Sequence, residues 1–299
     1  MAPTVLSSPQ VPEGLLDLLN AHLPYSLPLL RRLQFTRFKG GSSPASRILY
    51  TPPPDTGLPQ NAHFAAAYVD LAAGLETQMW IYSTLEDSKD VTAEDWEICA
   101  EQIVAVAEEA KKLGRAFEGE LAYPGAILIG TLHAAVVKAL DTKGARIKSN
   151  SENLGYHKWL FRAEELPTAE LHLEDGMHWA PTTPEDCGIA ISRTYLPRQL
   201  HTFILLPGLT IKLRDGTPVA WAFLGVDGSL SSLHCEEGYR GKGFAKALAA
   251  KLFREGTEEY GHDGWCHADV SPDNLSSAAV CKSLNGKVWW HGDWVQLLL

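Results

Sequence analysis

The sequence lacks three features that would assign it to particular classes of protein. It has no apolar run of about 18 residues, the length needed to cross a bilayer, and residues 1–14 lack the basic start and apolar core of a signal peptide. Lysine and arginine number only 26 against 36 acidic residues. The resulting net charge of −10 argues against nucleic acid or an anionic membrane as the main partner. These absences predict a cytoplasmic protein, whose acidity is compatible with a cationic amine substrate.

Cysteine is also scarce, and its five positions are odd in number and widely spaced. No disulfide framework follows from them, which fits a reducing compartment. Cys266 lies next to His267 and near Asp269, which suggests a metal site completed by His291. The spacing matches no zinc signature, however, so the sequence predicts no metal.

The chain of 299 residues is long enough for two domains, each with its own core, and its composition of 45% apolar and 21% charged residues is that of a globular protein. We predict a boundary near Thr168, which separates an N-terminal domain at residues 1–167 from a C-terminal domain at residues 168–299.

A basic, glycine-rich turn at residues 239–245 is the most informative feature present. It follows a predicted strand at Leu230–Cys235 and precedes a helix that places Phe244, Leu248 and Leu252 on one face. The free N–H groups and the dipole of a helix N-terminus favour an anion, and glycine lets the backbone approach it closely. The turn therefore predicts a phosphate-binding loop, although an ordinary strand-to-helix turn is the alternative.

The spacing fits neither a nucleotide P-loop nor a dinucleotide-binding turn. It resembles motif A of the GNAT acyltransferases, Gln/Arg-x-x-Gly-x-Gly/Ala, in which the loop holds the pyrophosphate of an acyl-coenzyme A. The resemblance assigns this role to Arg240, Gly241, Lys242, Gly243, Phe244 and Ala245.

A second motif follows in the order that this resemblance requires. A predicted strand at Trp265–Val270 leads to a helix at residues 275–284, which Asn274 begins and Gly286 follows. Val270 and Asn274 match the second motif of the family. The resemblance therefore implies acetyl-CoA or another acyl-CoA as co-substrate, with no metal.

The predicted elements of the C-terminal domain follow the GNAT order. A first strand is predicted at residues 170–173, helices at 184–196 and 198–206, and a hairpin of strands 209–213 and 219–224 around Asp215-Gly216. The chain is predicted to close with a hairpin of residues 287–290 and 294–298. We expect an α/β (α+β) fold of two tandem GNAT-like domains, with mixed, twisted sheets flanked by helices.

The N-terminal half is predicted to have helices at residues 13–23, 26–33 and 95–113, strands at 63–70 and 78–83, and loops at 40–46 and 52–61. Residues 12–19, 23–28, 217–221 and 290–297 resemble the glycine N-acyltransferase group. Members of that group have an N-terminal GNAT-like half without the phosphate loop. Because no strand-to-helix joint in this half has the necessary glycines, we expect one donor site per chain.

The resemblance also implies where the acyl donor runs. Its pantetheine would pair with the backbone of Leu233 and Cys235, and the N–H of Cys235 would stabilise the oxyanion. Many relatives place a glutamate base where this chain has Ser229, which cannot act as a base unaided. His234 is the nearest residue with a suitable pKa. The alternatives are Asp227, His267, or water ordered by Ser229 and Ser231.

Cys281 stands where relatives commonly have a tyrosine that protonates the leaving thiolate. It is either this proton donor or a buried packing residue. A covalent route through Cys281, His267 and Asp269 has no support in order or spacing.

We therefore expect an acyl-CoA-dependent N-acyltransferase, in its favoured form an acetyltransferase, acting on a small-molecule amine or an amino acid. The alternatives are a non-catalytic acyl-CoA sensor and a protein lysine acetyltransferase.

Overall fold

The structure, a computed structural model, describes residues 3–51, 63–87, 90–149, 155–168 and 171–299. The chain forms two compact units, one of Met1–Leu33, Ser42–Tyr156 and Trp290–Leu299 and the other of Gln34–Gly41 and His157–Trp289. The domain boundary near residue 168 stays a prediction. The predicted loop at residues 52–61 and Glu170 of the predicted first strand lie outside the described residues.

The first unit alternates strands and helices in chain order. Its elements are β1 (Leu6–Ser8), α1 (Leu15–Ala21), α2 (Leu27–Phe35), β2 (Arg47–Tyr50), β3 (Ala65–Val69), β4 (Met79–Ser83), α3 (Ala93–Ala116), β5 (Ala126–His133), α4 (Ala134–Thr142) and β6 (Ile147–Ser149). β13 (Lys287–Leu298), from the end of the chain, completes it.

The strands of the first unit form a mixed sheet in the order β1-β2-β3-β4-β5-β13, with β6 also on β13. Neighbours are antiparallel except β4 and β5, which are parallel. The core forms where the sheet meets the apolar side of α3, including Cys99, Ile103, Val106 and Ala110. Burial of this helix face stabilises the unit by the hydrophobic effect.

After Gln34–Gly41, the second unit continues with β7 (Tyr156–Arg162). The elements that follow are β8 (Met177–Pro181), α5 (Pro184–Ser192), α6 (Leu200–Phe203), β9 (Gly208–Leu213), β10 (Pro218–Leu224), β11 (Leu230–Cys235), α7 (Phe244–Gly256), β12 (Trp265–Val270) and α8 (Leu275–Ser283).

The sheet of the second unit divides between β11 and β12. β8, β9, β10 and β11 form one antiparallel sheet, and β7 pairs with β12 antiparallel. The strand pairing described between the two parts is one parallel bridge, Ser229 to His267. Beyond that bridge the outer edge of β11 has no strand partner among the residues described, so its backbone groups are available to a ligand.

Two predictions for the C-terminal half are wrong. Residues 171–173 form no strand, and the first strand is β8, which starts just after the turn at Gly176 (φ +90°) and pairs with β9. The predicted closing hairpin is instead the single strand β13. Gly292 does not turn the chain but pairs with His133, and a bulge between Asp293 and Val295 absorbs the irregularity.

Candidate functional site

The glycine-rich turn has the backbone conformation that its sequence requires. Gly241 and Gly243 have φ values of +76° and +83°, which disfavour other residues. A Cβ atom at Gly241 would meet no atom within 4 Å, and one at Gly243 would meet only Leu171 Cδ1 at 3.7 Å. The turn therefore borders open space into which its backbone N–H groups can direct a ligand.

Helix α7 starts at this turn, with its apolar face buried and its N-terminus without a side-chain cap. Phe244, Leu248 and Leu252 are 3%, 0% and 4% exposed, whereas Ala245 is partly exposed. The N-cap is Gly243, which has no side chain to accept a hydrogen bond from the first turn. The first N–H groups of a helix lack intrahelical acceptors, so an anion at this position would satisfy them.

The two cations of the turn have different partners. Arg240 Nε donates to the carbonyl of Cys235 at 3.0 Å, and this hydrogen bond is exposed. Lys242 Nζ lies 2.7 Å from Glu174 Oε1, in an ion pair whose side chains are 39% and 57% exposed. Because such exposed pairs are weak, a phosphate can compete with Glu174 for Lys242.

A β-bulge distorts β11 next to the open edge. The register with β10 shifts between Ser231 and His234, and Ser232 in the bulge has a φ of +50°. Its hydroxyl is buried and, within the part of the chain that the structure describes, makes no hydrogen bond. A strained residue with an unsatisfied donor beside an open strand edge is typical of a ligand-binding position.

Backbone geometry also separates the two edges of β11 near its end. The N–H of Glu236 donates to Val219 on β10. Since residues alternate along a strand, the preceding residue, Cys235, directs its N–H and C=O groups to the outer edge. There the carbonyl of Cys235 meets Arg240, and its N–H remains for a ligand.

His234 lies on the other side of the same strand segment, against an aromatic ring. Its imidazole stacks on Trp221 with ring centres 4.6 Å apart and an interplanar angle of 19°. Nε2 is buried, makes no hydrogen bond among the described residues and lies 3.6 Å from Glu236 Oε2. The side chain is 23% exposed, but the exposed part does not include Nε2.

Ser229 is held by a buried carboxylate. Asp227 Oδ1 accepts from both the hydroxyl and the N–H of Ser229, at 2.6 and 3.1 Å. Burial opposes the ionisation of Asp227, but the charges of His267 and Lys158 and the hydrogen bonds from Ser229 hold its pKa below the ordinary value. Ser229 therefore occupies the usual glutamate position with an ionised carboxylate directly behind it.

Three further side chains on β7 and β12 extend this buried polar group. His267 Nε2 lies 2.7 Å from the carbonyl of Asp227, and its Nδ1 lies 3.2 Å from Lys158 Nζ. Lys158 also donates to Asp269 at 2.6 Å. Lys158 and His267 are fully buried, and both nitrogens of the imidazole are engaged. His267 therefore has no open nitrogen with which to accept a proton from a substrate.

The contacts of Cys281 and Asn274 stabilise the fold: Cys281 packs in the core, and Asn274 caps a helix. Cys281 is 2% exposed on α8, and burial raises the pKa of its thiol to about 12. A thiol with that pKa is a weaker acid than an ordinary one, which favours the packing alternative over proton donation. Asn274 caps α8, where its Oδ1 accepts from the N–H of Ser277 at 3.0 Å.

Three parts of this site have no signal in the sequence. Ser232 became notable only through its positive φ, Glu174 through its ion pair with the turn, and Lys158 through its position opposite Asp269 on the paired strand. All three depend on contacts between segments that are far apart in the chain or on a register shift, which local patterns do not encode.

The described residues contain no group of three or more histidine, cysteine or acidic side chains arranged to hold a metal ion. In the same residues, no helix has the length and apolarity needed to cross a membrane.

Two protein-family models match the chain. The N-terminal domain of the acyl-CoA N-acyltransferase verG matches residues 2–159, and the GNAT acetyltransferase family matches residues 173–286. No curated protein matches the chain significantly in sequence.

Solved structures show the same fold at low sequence identity. A Drosophila protein superimposes with a TM-score of 0.63 and 17% identity, covering 96% of this chain and 95% of its own. A tandem GNAT protein from the clavulanic acid biosynthesis pathway has a TM-score of 0.54 and 10% identity, covering 98% of each chain. A GCN5-related N-acetyltransferase from Sphaerobacter thermophilus has a TM-score of 0.53 and 11% identity, covering 98% of this chain and 94% of its own. The predicted fold of two GNAT-like domains is confirmed.

Proposed function

Because the chain belongs to the family of the acyl-CoA N-acyltransferase verG and carries a GNAT domain, we propose that it transfers an acyl group from acyl-CoA to the amine of a small molecule or an amino acid. An acetyl group is the favoured acyl group. The observation that supports the proposal most strongly is the open glycine turn before the uncapped helix α7.

In this proposal the donor lies along the outer edge of β11 and ends on the turn. The pyrophosphate accepts from the N–H groups at the start of α7 and pairs with Arg240, while the pantetheine continues the sheet at the edge of β11. The proposed donor site consists of Leu233, Cys235, Arg240, Gly241, Lys242, Gly243, Phe244, Ala245 and Asn274.

The proposed chemistry is direct attack on the thioester. The amine nitrogen forms a bond to the carbonyl carbon, and the oxyanion accepts from the N–H of Cys235. The carbon–sulfur bond then breaks, and CoA leaves as a thiolate that takes up a proton. The amine must lose a proton to react, and we assign its removal to His234, whose Nε2 makes no hydrogen bond among the described residues.

The other proposed catalytic residues have more limited roles. Ser229, backed by the ionised Asp227, would order a water in the proton path. Cys281 lies too deep and has too high a pKa to be the preferred donor to the thiolate, so its proposed role is packing beside the site.

Turnover with an amine panel tests the function. The wild-type chain should release CoA from acetyl-CoA with at least one small amine, and Arg240→Ala should weaken CoA binding about 10- to 100-fold, since it removes a charge-assisted contact of about 1.5–3 kcal/mol. Unchanged calorimetric CoA binding by folded Arg240→Ala would contradict the donor site.

His234→Gln tests the proton acceptor. Turnover should fall by roughly 10² or more with CoA binding nearly intact, and the acid limb of the pH–rate profile should flatten. Cys281→Ala is the comparison and should lose less. Near-wild-type turnover of the His234 variant across the pH range would leave the water path through Ser229 as the better account.

A non-catalytic acyl-CoA sensor is the second candidate, because Ser229 and the buried Cys281 replace the usual base and acid. Tight CoA binding without turnover against any small amine would favour it. Turnover only with a lysine-containing peptide would instead indicate a protein lysine acetyltransferase.

A further inference from the structure

A cavity of about 380 Å³ lies beside β11, where the chain leaves the strand for the glycine turn. It is an open cavity lined by the end of α5, the hairpin of β9 and β10, and the segment that follows β11, all of which belong to the second unit. The part of its wall formed by Ile189, Leu213 and Val219 is apolar, and Arg193, Glu236 and Tyr239 form a polar side.

Arg193 and Glu236 in this wall form an ion pair, and each has one further polar atom without a hydrogen bond among the described residues. Arg193 donates through Nε to Glu236 Oε1 at 3.0 Å and through Nη1 to Ser192 Oγ at 3.3 Å. No described residue contacts its Nη2 with a hydrogen bond. Glu236 Oε2 likewise accepts no hydrogen bond from a described residue, and His234 Nε2 lies 3.6 Å from it, beyond hydrogen-bonding distance.

The positions of these groups define the chemistry of a ligand. The side chains of Arg193 and Glu236 are 49% and 30% exposed, so both are accessible from the cavity. A guanidinium nitrogen binds a carboxylate, and a carboxylate oxygen binds an ammonium group. A molecule that carries an ammonium group and a carboxylate on the same carbon can bind both without breaking the existing pair, and an apolar side chain would contact Ile189, Leu213 and Val219.

We propose that this cavity binds a free α-amino acid with an apolar side chain, its carboxylate on Arg193 and its ammonium group on Glu236. The inference rests on the proposed function only for the role of this amino acid as the acyl acceptor.

The location fits that role. An ammonium group on Glu236 would lie next to His234, to which we assign removal of the amine proton. His234 lies on β11, the strand whose outer edge is the proposed donor site. The cavity also adjoins the donor turn, because Tyr239 precedes Arg240 and its ring centre lies 5.5 Å from Lys242 Nζ. A ligand in the cavity would therefore lie close to the residues proposed to bind the phosphate.

Direct binding of L-leucine by calorimetry or ligand-observed NMR tests the proposal in the full chain. Two analogues complete the series: isoamylamine, which lacks the carboxylate, and 4-methylpentanoate, which lacks the amine. Leucine should bind at least about tenfold more tightly than either, because each analogue leaves one charged group of the wall without a partner.

Two variants assign the ligand to the cavity. Arg193→Gln should weaken leucine about tenfold or more while changing isoamylamine little, and Glu236→Gln should weaken leucine while changing 4-methylpentanoate little. The exposed pair on α7 provides matched controls, and Lys251→Gln and Glu255→Gln should bind leucine as the wild type does. No leucine binding, or leucine binding unchanged in both cavity variants, would overturn the proposal.

The design separates this site from the donor site. Leucine binding is measured without acyl-CoA and should persist in Arg240→Ala, whose CoA binding is weakened. Leucine binding with the expected variant pattern but no turnover with any amine would support the cavity and refute the proposed enzyme. CoA release that depends on leucine and rises in KM in Arg193→Gln would support both.

Discussion

Each unit of this protein contains a strand followed by a turn and a buried helix, but the two turns satisfy the helix N-terminus in opposite ways. In the second unit, β11 leads to Gly243, which caps α7 without a side chain. In the first unit, β4 leads to Thr92, whose hydroxyl accepts from the N–H of Asp95 and caps α3. The same supersecondary unit is open to an anion in one case and closed by its own side chains in the other.

Acidic residues strengthen the difference in the first unit. Ser83 and Glu86 form a capping box directly after β4. Asp87 lies 2.5 Å from His22 Nδ1 and accepts from the hydroxyl of Tyr82 at 2.7 Å. Carboxylates near this joint would repel a phosphate, whereas Arg240 and Lys242 attract one. A turn of this kind is therefore closed to a phosphate ligand when it has no glycine and has carboxylates nearby.

The largest expected effect comes from filling the open turn. Gly243→Val should weaken CoA binding by at least about 100-fold, because a residue with a Cβ resists φ of +83° and moves the N–H groups at the start of α7. Calorimetry should find one CoA per wild-type chain. A second equivalent site, or undiminished binding in the variant, would contradict the claim that only the turn of the second unit binds CoA.

The matched control for that variant is Gly14→Val. Gly14 also caps a helix, α1, with φ of +77°, and a Cβ atom there would meet no atom within 4 Å. Both variants carry a similar backbone cost of about 1–2 kcal/mol, but only Gly243→Val should lose CoA.

The buried charges of the second unit should matter more for folding than the exposed pairs of the first. Lys158→Met should lower the free energy of unfolding by about 3–5 kcal/mol, because it leaves Asp269 buried without its cation. Lys112→Met on α3 removes a lysine that is 69% exposed and should change stability by less than about 0.5 kcal/mol. Urea unfolding measures both, and similar losses in the two variants would contradict this account.

The two units should also respond to acid in different pH ranges. Burial lowers the pKa of His133 in the first unit from 6.5 to about 4. The unfolded chain therefore binds a proton that the folded chain does not, and stability should fall by about 2–3 kcal/mol as pH decreases from 6.5 to 4. The depressed pKa of Asp227 in the second unit acts in the same direction but at lower pH, since its contribution to stability is present above 3.8 and is lost as pH falls through its lowered pKa.

His133→Asn isolates the first of these effects. Asparagine keeps a cap for α4, where the imidazole Nδ1 accepts from the N–H of Ala135, but cannot titrate. Thermal unfolding from pH 7 to 4 should show a shallower decline in the variant. An unchanged slope would mean that other groups in the chain carry it.

The smallest effect is expected from removing the side-chain cap of α3. Thr92→Ala removes the side-chain cap of α3 and should lower stability by about 1 kcal/mol. CoA binding should remain within about twofold of the wild type, because this helix N-terminus lies outside the donor site. A large loss of CoA binding would implicate the first unit in donor recognition.

The sequence alone predicted much of the second unit because its signals are local. β11, α7 and β12 lie where the apolar periodicity and the glycine turn place them, and α8 begins after Asn274 as its capping signal indicates. The short helices are less regular than predicted, since α6 spans only Leu200–Phe203. β5 and α4 of the first unit were not predicted, and their continuous apolar runs are compatible with either structure.

The sequence alone was enough to predict the open, cationic turn before α7, because two glycines, a cation and a helix start are adjacent in the chain and need no distant partner. The side chains that surround that turn depend instead on tertiary contacts. Three features each join residues from different strands or helices: the bulge at Ser232, the buried group of Asp227, His267 and Lys158, and the ion pair of Arg193 and Glu236 in the cavity wall. Strand register and burial set these contacts, and both are properties of the folded chain rather than of any local segment.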